Sequence, residues 1–422
     1  MDRLVSLIAG ASSVRSSNDD DFADRLSSRY TVVLLVLFAV LVGMNQYVRN
    51  PITCWAPVHF TGPHTKFATN FCWVKNTYYL PWQNEVPREM EKKQMIPYYQ
   101  WVPFILLFQA VLFYLPTIVW HGMNSKAGID ADSIMQSAHS LSRMEKSDAH
   151  KRTMLLLTNQ MDRFLSNRLN RKKGCGCNTR SCFMICCCGL CGRRLGNYLV
   201  ILFLFSKFCY IVNILAQLFV LNGVLSIKFN TFGVDLIRLI MSTDDWTEQN
   251  HVAFPRVTYC DFYIRGQDMA NVQPYTIQCV LPINLYNEKI YFFLWFWMVF
   301  VLLASTISFF LWFMRALFFR DRLKFIRNHL LLGSRVNQIE EIDEKSNIRE
   351  FASRYLKQDG TFLLRLIAHN TNNITTTEII CGLWDYWLRK SEKVDTMPDT
   401  MPISRLYPTD VEYSDELKGK EL

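Results

Sequence analysis

Charged residues are scarce in this sequence. Asp, Glu, Lys and Arg make up only 20% of the 422 residues, whereas 50% are hydrophobic and 14% are aromatic. A soluble protein of this length would form two or three domains, with charges spread over their surfaces. Here the apolar residues are concentrated in long blocks, which is typical of a membrane protein.

Motifs for enzymatic chemistry are missing as well. The sequence contains no G-x-S-x-G, no H-E-x-x-H and no Gly-rich phosphate loop, and its eight histidines are scattered. A four-span palmitoyl transferase would need an Asp-His-His-Cys run, which this sequence lacks. We therefore expect neither an enzymatic activity nor a cofactor.

Signals for secretion and glycosylation are also sparse. Residues 1–29 carry Asp19, Asp20, Asp21 and Asp24, which a secretory leader would not tolerate, so the first apolar block is expected to act as the insertion signal. The only N-x-S/T triplet begins at Asn373, in a segment that we place in the cytosol below. The extracellular loops are therefore expected to be free of N-linked sugar, which leaves them open to contact with another protein.

Four apolar blocks predict four transmembrane helices. They cover residues 30–48, 102–121, 197–225 and 290–314, and the first is free of charge over 19 residues. A helix needs about 20 apolar residues to cross a hydrocarbon core of about 30 Å, and a shorter run could be a buried core helix. Blocks of this length favour four membrane spans.

Basic residues predict the side of the membrane on which each loop lies. Residues 122–196 contain 13 Lys or Arg and 5 Asp or Glu, whereas residues 223–289 contain 5 and 7. The net charge of +9 fits contact with anionic lipid of the inner leaflet, and no pattern for nucleic-acid binding is present. We therefore expect loops 49–101 and 226–289 to be extracellular and segments 1–29, 122–196 and 315–422 to be cytosolic.

The extracellular loops contain two cysteines each, Cys54 and Cys72 in the first and Cys260 and Cys279 in the second. Oxidising conditions favour disulfides there, and four cysteines allow three pairings between which spacing does not choose. The first loop is also rich in Trp, Tyr and Phe, which indicates either an interfacial belt or a packed outer domain.

A second group of cysteines lies just before the third span. No histidine is close and paired C-x-x-C spacing is missing, so a zinc site is disfavoured. The position beside the membrane favours S-palmitoylation, with no special role as the alternative. The group comprises Cys175, Cys177, Cys182, Cys186, Cys187, Cys188 and Cys191, of which the last four are the lipidation candidates.

Several polar positions are candidates for a pore. Residues 1–11 have an amphipathic pattern, which fits either a helix on the inner leaflet or a helix folded into a pore mouth. Lys207 in the third span is expected to snorkel to the cytosolic interface. Pro116 is expected to kink the second span as a packing device. The pore-lining candidates are Met1, Asp2, Arg3, Leu4, Asn45 and Gln46.

Residues 315–390 are expected to form a helical cytosolic domain. Leu363, Leu364, Leu366 and Ile367 form one apolar helix face, and residues 379–387 form another. The Pro-containing, charged residues 391–422 are expected to be a disordered tail.

Several segments resemble the innexins, the invertebrate gap-junction proteins. Connexins share the topology but carry three closely spaced cysteines in each extracellular loop, which this sequence lacks. The resemblance covers the chain to about residue 390. It is carried by Asp20-Asp21-Phe22-Ala23-Asp24-Arg25-Leu26, Gln46-Tyr47-Val48, Pro51-Ile52-Thr53-Cys54-Trp55, Cys72-Trp73-Val74-Lys75-Asn76-Thr77-Tyr78, the signature Tyr98-Tyr99-Gln100-Trp101-Val102, Gln278-Cys279-Val280-Leu281-Pro282-Ile283-Asn284-Leu285 and Asn287-Glu288-Lys289.

The resemblance implies an all-α membrane protein with four transmembrane helices per subunit, a disulfide-tied extracellular domain with some β-structure and a helical cytosolic domain. It further implies disulfides between Cys54 and Cys279 and between Cys72 and Cys260. The expected function is an octameric, large-pore hemichannel, homomeric or mixed with other innexins, that docks with a hemichannel of the adjacent cell at a gap junction of the plasma membrane. The N-terminal helix, the first span and the start of the first extracellular loop would line the pore. The alternatives are a non-junctional hemichannel, as in the related pannexins, and a tetraspan adhesion or scaffold protein.

Overall fold

The computed structural model describes residues 21–81, 94–124, 131–144, 147–170, 196–225, 229, 231–241, 254–265, 272–335 and 342–395. The chain divides into two compact units. The first comprises residues 1–136 and 175–319, and the second comprises residues 137–174 and 320–422.

Helices account for most of the described structure. In chain order they are α1 (Phe22–Val48), α2 (Gly62–Lys75), α3 (Val102–Asn124), α4 (Ala131–Arg143), α5 (Asp148–Asn170), α6 (Tyr198–Leu225), α7 (Phe232–Met241), α8 (Pro282–Leu317), α9 (Phe319–Leu332), α10 (Ile342–Glu350), α11 (Lys357–Asn370) and α12 (Asn373–Asp395).

Among the described residues of the first unit, four helices, α1, α3, α6 and α8, are long and apolar enough to cross a membrane. Because a helix satisfies its backbone hydrogen bonds internally, it can cross lipid without exposing polar groups. The helices α3 and α6 match the expected spans closely, and α3 continues through the buried Pro116. The other two are longer than expected. The helix α1 begins at Phe22, and α8 has 36 residues, which gives it a length of about 54 Å.

The described strands form a five-stranded antiparallel sheet. They come from the segment between α1 and α3 and from the segment between α6 and α8. Its strands are β1 (Thr53–Trp55), β2 (Thr77–Tyr79), β3 (Gln94–Ile96), β4 (Val257–Arg265) and β5 (Val272–Val280), and their order is β1-β5-β4-β2-β3. The hairpin of β4 and β5 pairs from Val257 and Val280 to Arg265 and Val272. The short strands before α3 add to both sides of this hairpin. The sheet, its two disulfides and the four apolar helices confirm the expected fold class.

The helix α2 was not expected from the sequence. Thr61 is its N-cap residue: the Thr61 backbone N–H donates to His64 Nδ1 at 3.4 Å, and the Thr61 hydroxyl contacts the same nitrogen at 2.9 Å. Proline occupies the first turn. Both features are typical of a helix start. Its buried positions include Ala68 and Cys72, which attach the helix to the sheet.

The second unit is helical, as expected for the C-terminal part. Leu363, Leu364, Leu366 and Ile367 of α11 are buried, as are the apolar positions 379, 380, 383 and 384 of α12. The helix α5, from the segment expected only as a basic loop, joins this core, where Tyr355 Oη donates to Asp162 Oδ1 at 2.7 Å. The hydrophobic periodicity of residues 315–390 therefore predicted the core but not its partner helix.

Candidate functional site

Two disulfides join the first half of the first unit to its second half. Cys54 on β1 bonds Cys279, its paired residue on β5, and Cys72 on α2 bonds Cys260 on β4. These are the two pairs that the resemblance implied. The sulfurs of Cys54, Cys72 and Cys279 lie within 4.8 Å of one another, but sulfurs in disulfides offer no thiolate to a metal ion.

Aromatic side chains pack around the bridges. Phe262 stacks on Tyr275 across the hairpin with ring centroids 5.8 Å apart, and Phe71 of α2 lies 5.9 Å from Phe262. Phe60 contacts Tyr275 at 5.2 Å. The disulfides, α2 and the sheet therefore form one packed body, which we call the sheet domain. Large apolar side chains exposed on it include Trp55, Val58, Phe67, Val74, Tyr263 and Val272.

The signature residues join the sheet domain to the apolar helices. Gln46 Nε2 of α1 donates to the carbonyl oxygen of Gln100 at 3.0 Å, and Gln100 Nε2 donates to the carbonyl oxygen of Trp73 in α2. The ring of Tyr99 lies 5.1 Å from that of Trp73. The turn Tyr98–Gln100 before α3 is therefore the point where α1, α2 and α3 meet.

The signature residues differ in exposure. Tyr98 and Tyr99 are buried, whereas Trp101 is 60% exposed, as expected for an interfacial aromatic residue. Burial raises the pKa of Tyr99 to about 12, because the phenolate would lose its hydration.

The start of α8 attaches to the hairpin through polar groups. Asn284 Nδ2 donates to the carbonyl oxygen of Pro255 at 2.8 Å, and Arg256 Nη2 lies 2.9 Å from Glu288 Oε2. Leu281 N donates to the carbonyl oxygen of Arg256 at 2.8 Å. Asn284 and Glu288, which precede the expected fourth span in the sequence, therefore attach the first turns of α8 to the hairpin.

One face of α1 is exposed in the single chain and is almost entirely apolar. It carries Val33, Leu37, Leu41 and Met44, which follow helical spacing. Asn45 is partly exposed, and its amide donates to the carbonyl oxygen of Leu41 at 3.0 Å. Gln46, also expected to line a pore, is instead buried inside the subunit by its bond to the turn before α3.

A buried ion cluster lies at the start of α1. Lys207 Nζ of α6 lies 3.1 Å from Asp21 Oδ2 and 2.9 Å from Asp24 Oδ2. It also donates to Ser308 Oγ of α8 at 2.9 Å. Asp21 Oδ2 accepts from Ser308 Oγ and, at 3.1 Å, from Trp312 Nε1.

The ion cluster corrects the expectation for Lys207. Its side chain is 2% exposed, so it does not snorkel to an interface. Two carboxylates from the segment before the expected first span solvate the ammonium group instead. The run of acidic residues at 19–24 and the single lysine within a span were the signals in the sequence, but their spacing of more than 180 residues did not connect them.

The remaining candidates lie outside the described residues. They are the pore-lining candidates Met1, Asp2, Arg3 and Leu4 and the lipidation candidates Cys186, Cys187, Cys188 and Cys191. Both assignments stay predictions.

Comparison with known proteins gives a consistent result. The family model described as Innexin matches residues 20–387. Innexin unc-9 of Caenorhabditis elegans is 35% identical over 396 residues, covering 93% of this chain and 98% of that protein. Innexin-3 of the same organism is 36% identical over 362 residues, covering 85% and 82%, and Innexin-19 of Caenorhabditis briggsae is 30% identical over 410 residues, covering 92% and 90%.

Proposed function

The chain belongs to the innexin family and is therefore a multi-pass gap-junction channel subunit, and we propose that it assembles into an octameric hemichannel that docks with a hemichannel of the adjacent cell. The hemichannel is homomeric or mixed with other innexins. Ions and small molecules then pass from cell to cell by diffusion. The observation that carries this proposal is the sheet domain, which two disulfides and an aromatic core hold rigid at one end of apolar helices.

The sheet domain faces the extracellular gap in this proposal, and both termini lie in the cytosol. The oxidising side of the membrane suits four paired cysteines, and the basic loop 122–196 suits the cytosolic side. Exposed apolar side chains such as Trp55 and Tyr263 give the sheet domain a surface fit for contact with another protein. An epitope inserted within residues 266–271 should be accessible to antibody on intact cells, and one at the C-terminus should not.

The helix α1 lines the pore in this proposal. Between Val33 and Met44 its exposed face is apolar, so the part of a pore wall built from these residues carries no fixed charge. Selection among permeants by this wall then follows pore width and not charge. Met1, Asp2, Arg3 and Leu4 contribute to the pore mouth from the N-terminal segment.

Transfer of a small dye between paired cells tests the proposal. Transfer only when both cells express the protein supports a docked junction. Dye uptake by single cells without transfer in pairs supports a non-junctional hemichannel, and neither result with normal surface expression supports an adhesion or scaffold role. A variant with all four disulfide cysteines changed to serine is the matched control, and it should lose transfer because the sheet domain is no longer held together.

A further inference from the structure

The first turn of α1 is held by directed polar contacts that include buried charges. Between Thr31 and Val48, α1 is an apolar helix that packs mainly against α3. Apolar packing is non-directional, so by itself it defines the height and rotation of a helix only loosely. At its start, Asp21 and Asp24 meet Lys207 of α6 and Ser308 of α8.

Burial makes these contacts sensitive to any movement of α1. Lys207, Asp21 and Asp24 have side-chain exposures of 2%, 9% and 7%. A buried charge is tolerated only where its partner is in place, so α1 cannot slide or rotate at this point without separating charges in a medium of low dielectric. Lys207 Nζ donates to both carboxylates at once. It lies 3.1 Å from Asp21 Oδ2, and it lies 3.0 Å and 2.9 Å from the two carboxylate oxygens of Asp24.

A π-helical segment follows the cluster directly. It spans Leu26–Tyr30, and the Thr31 hydroxyl donates to the carbonyl oxygen of Leu26 at 2.9 Å. Trp297 Nε1 of α8 donates to the same hydroxyl at 2.9 Å. The wide turn therefore lies between two attachments to α8, one through Asp21 and one through Thr31.

A π-turn changes the angle between the residues before and after it, compared with an α-helical turn. Because the π-helical segment lies between Asp24 and Val33, its width sets the angle about the helix axis between Asp24 and side chains such as Val33 and Leu37. We propose that Lys207 is a positioning residue of the channel. It holds the first turn of α1 and, through the π-helical segment, determines which face of α1 lines the pore. This inference rests on the proposed pore-lining role of α1.

Unitary conductance tests the proposal, because it does not depend on how many channels reach the surface. Lys207→Met leaves the carboxylates without their cation. Ser308→Ala removes the two hydrogen bonds of Ser308, to Lys207 and Asp21, while retaining all charges, and Lys207→Arg retains the cation. Lys207→Met should change the main unitary conductance by about twofold, because conductance depends on pore width and lining. Ser308→Ala should change it in the same direction by less, and Lys207→Arg should remain nearer to the unmodified protein.

Thr117→Val is the matched control. It removes a buried hydrogen bond of 2.7 Å between Thr117 of α3 and Tyr210 of α6 that involves none of Asp21, Asp24, Lys207 and Ser308. Its unitary conductance should be unchanged. If the Lys207 and Ser308 variants only reduce channel number and leave unitary conductance at the unmodified value, the cluster is purely structural and the proposal is wrong. If Lys207→Met does not reach the surface, Ser308→Ala decides by the same criterion.

Chemical labelling gives a readout that needs no current. Cysteine introduced at Leu37, which is exposed, should react with a water-soluble thiol reagent, and cysteine at Leu35, which is fully buried, should not. Mass spectrometry at the introduced site should show this contrast reduced in the Lys207→Met or Ser308→Ala background. An unchanged contrast would overturn the positioning role. Absence of current from the unmodified protein, with the contrast still sensitive to Lys207, would instead count against the proposed channel function alone.

Discussion

Removing one disulfide at a time should destabilise the protein by an amount that follows from how the two bridges are nested. Cys54 and Cys279 are separated by 225 residues, and they enclose Cys72 and Cys260, which are separated by 188. While the inner bridge remains, the outer bridge closes only the difference, 37 residues. The chain-entropy relation gives about 4 kcal/mol for a loop of this length, compared with about 5 kcal/mol for the full separation.

Thermal unfolding of the purified protein measures the loss for the double variant Cys54→Ser/Cys279→Ser. The nested value is the relevant one because the inner bridge between Cys72 and Cys260 is intact in this variant. Cys209→Ser is the matched control, since this half-buried cysteine is free and its removal should leave stability nearly unchanged. A double variant as stable as the unmodified protein would refute the entropy argument.

Proteolysis tests the pairing itself. A protease site inserted between residues 171 and 195 separates the cysteines of the first loop from those of the second. The two fragments should stay joined on a non-reducing gel in the unmodified protein and in either pair variant, and they should separate when all four cysteines are serine. Separation of the Cys72→Ser/Cys260→Ser protein without reductant would show that Cys54 and Cys279 are not bonded.

Three further outcomes are expected. Gln46→Leu should lower the free energy of unfolding by about 1–3 kcal/mol because it leaves a buried carbonyl without a donor, whereas Asn45→Leu should cost less; equal losses would contradict this explanation. The raised pKa of Tyr99, about 12 against an ordinary value of 10.0, means that its contribution to stability is complete below pH 10 and is lost as the pH rises towards 12. Unfolding measured against pH should show this loss, and Tyr99→Phe should make it smaller by the share that Tyr99 contributes; an identical pH profile would count against a buried phenol. Gly333→Ala should destabilise the second unit by about 1–3 kcal/mol, because the new Cβ would lie 2.2 Å from Cys381 Sγ, and adding Cys381→Ala should restore stability if that contact is the cause.

The membrane spans could be predicted from the sequence because hydrophobic length is a local property. Apolar blocks of 19 residues or more identify helices wherever the rest of the chain lies, and the ends of α3 and α6 agree closely with this expectation. The C-terminal core followed from helical periodicity in the same way. The helix α2 was missed because its signals, a threonine cap and a proline in the first turn, are short and lie in a loop rich in aromatic residues.

The features of the site also differ in whether they depend on local sequence or on distant contacts. The number of spans, the loops that contain the cysteines and the distinctive segment 98–101 followed from the order of the residues alone. The packing of distant segments was needed to show that Gln46 faces the turn before α3 and that Lys207 contacts two aspartates. Whether a lysine in a span reaches for an interface or for a carboxylate depends on which distant segments pack beside it. Local composition does not contain that information, since the partners of Lys207 lie 183 and 186 residues away.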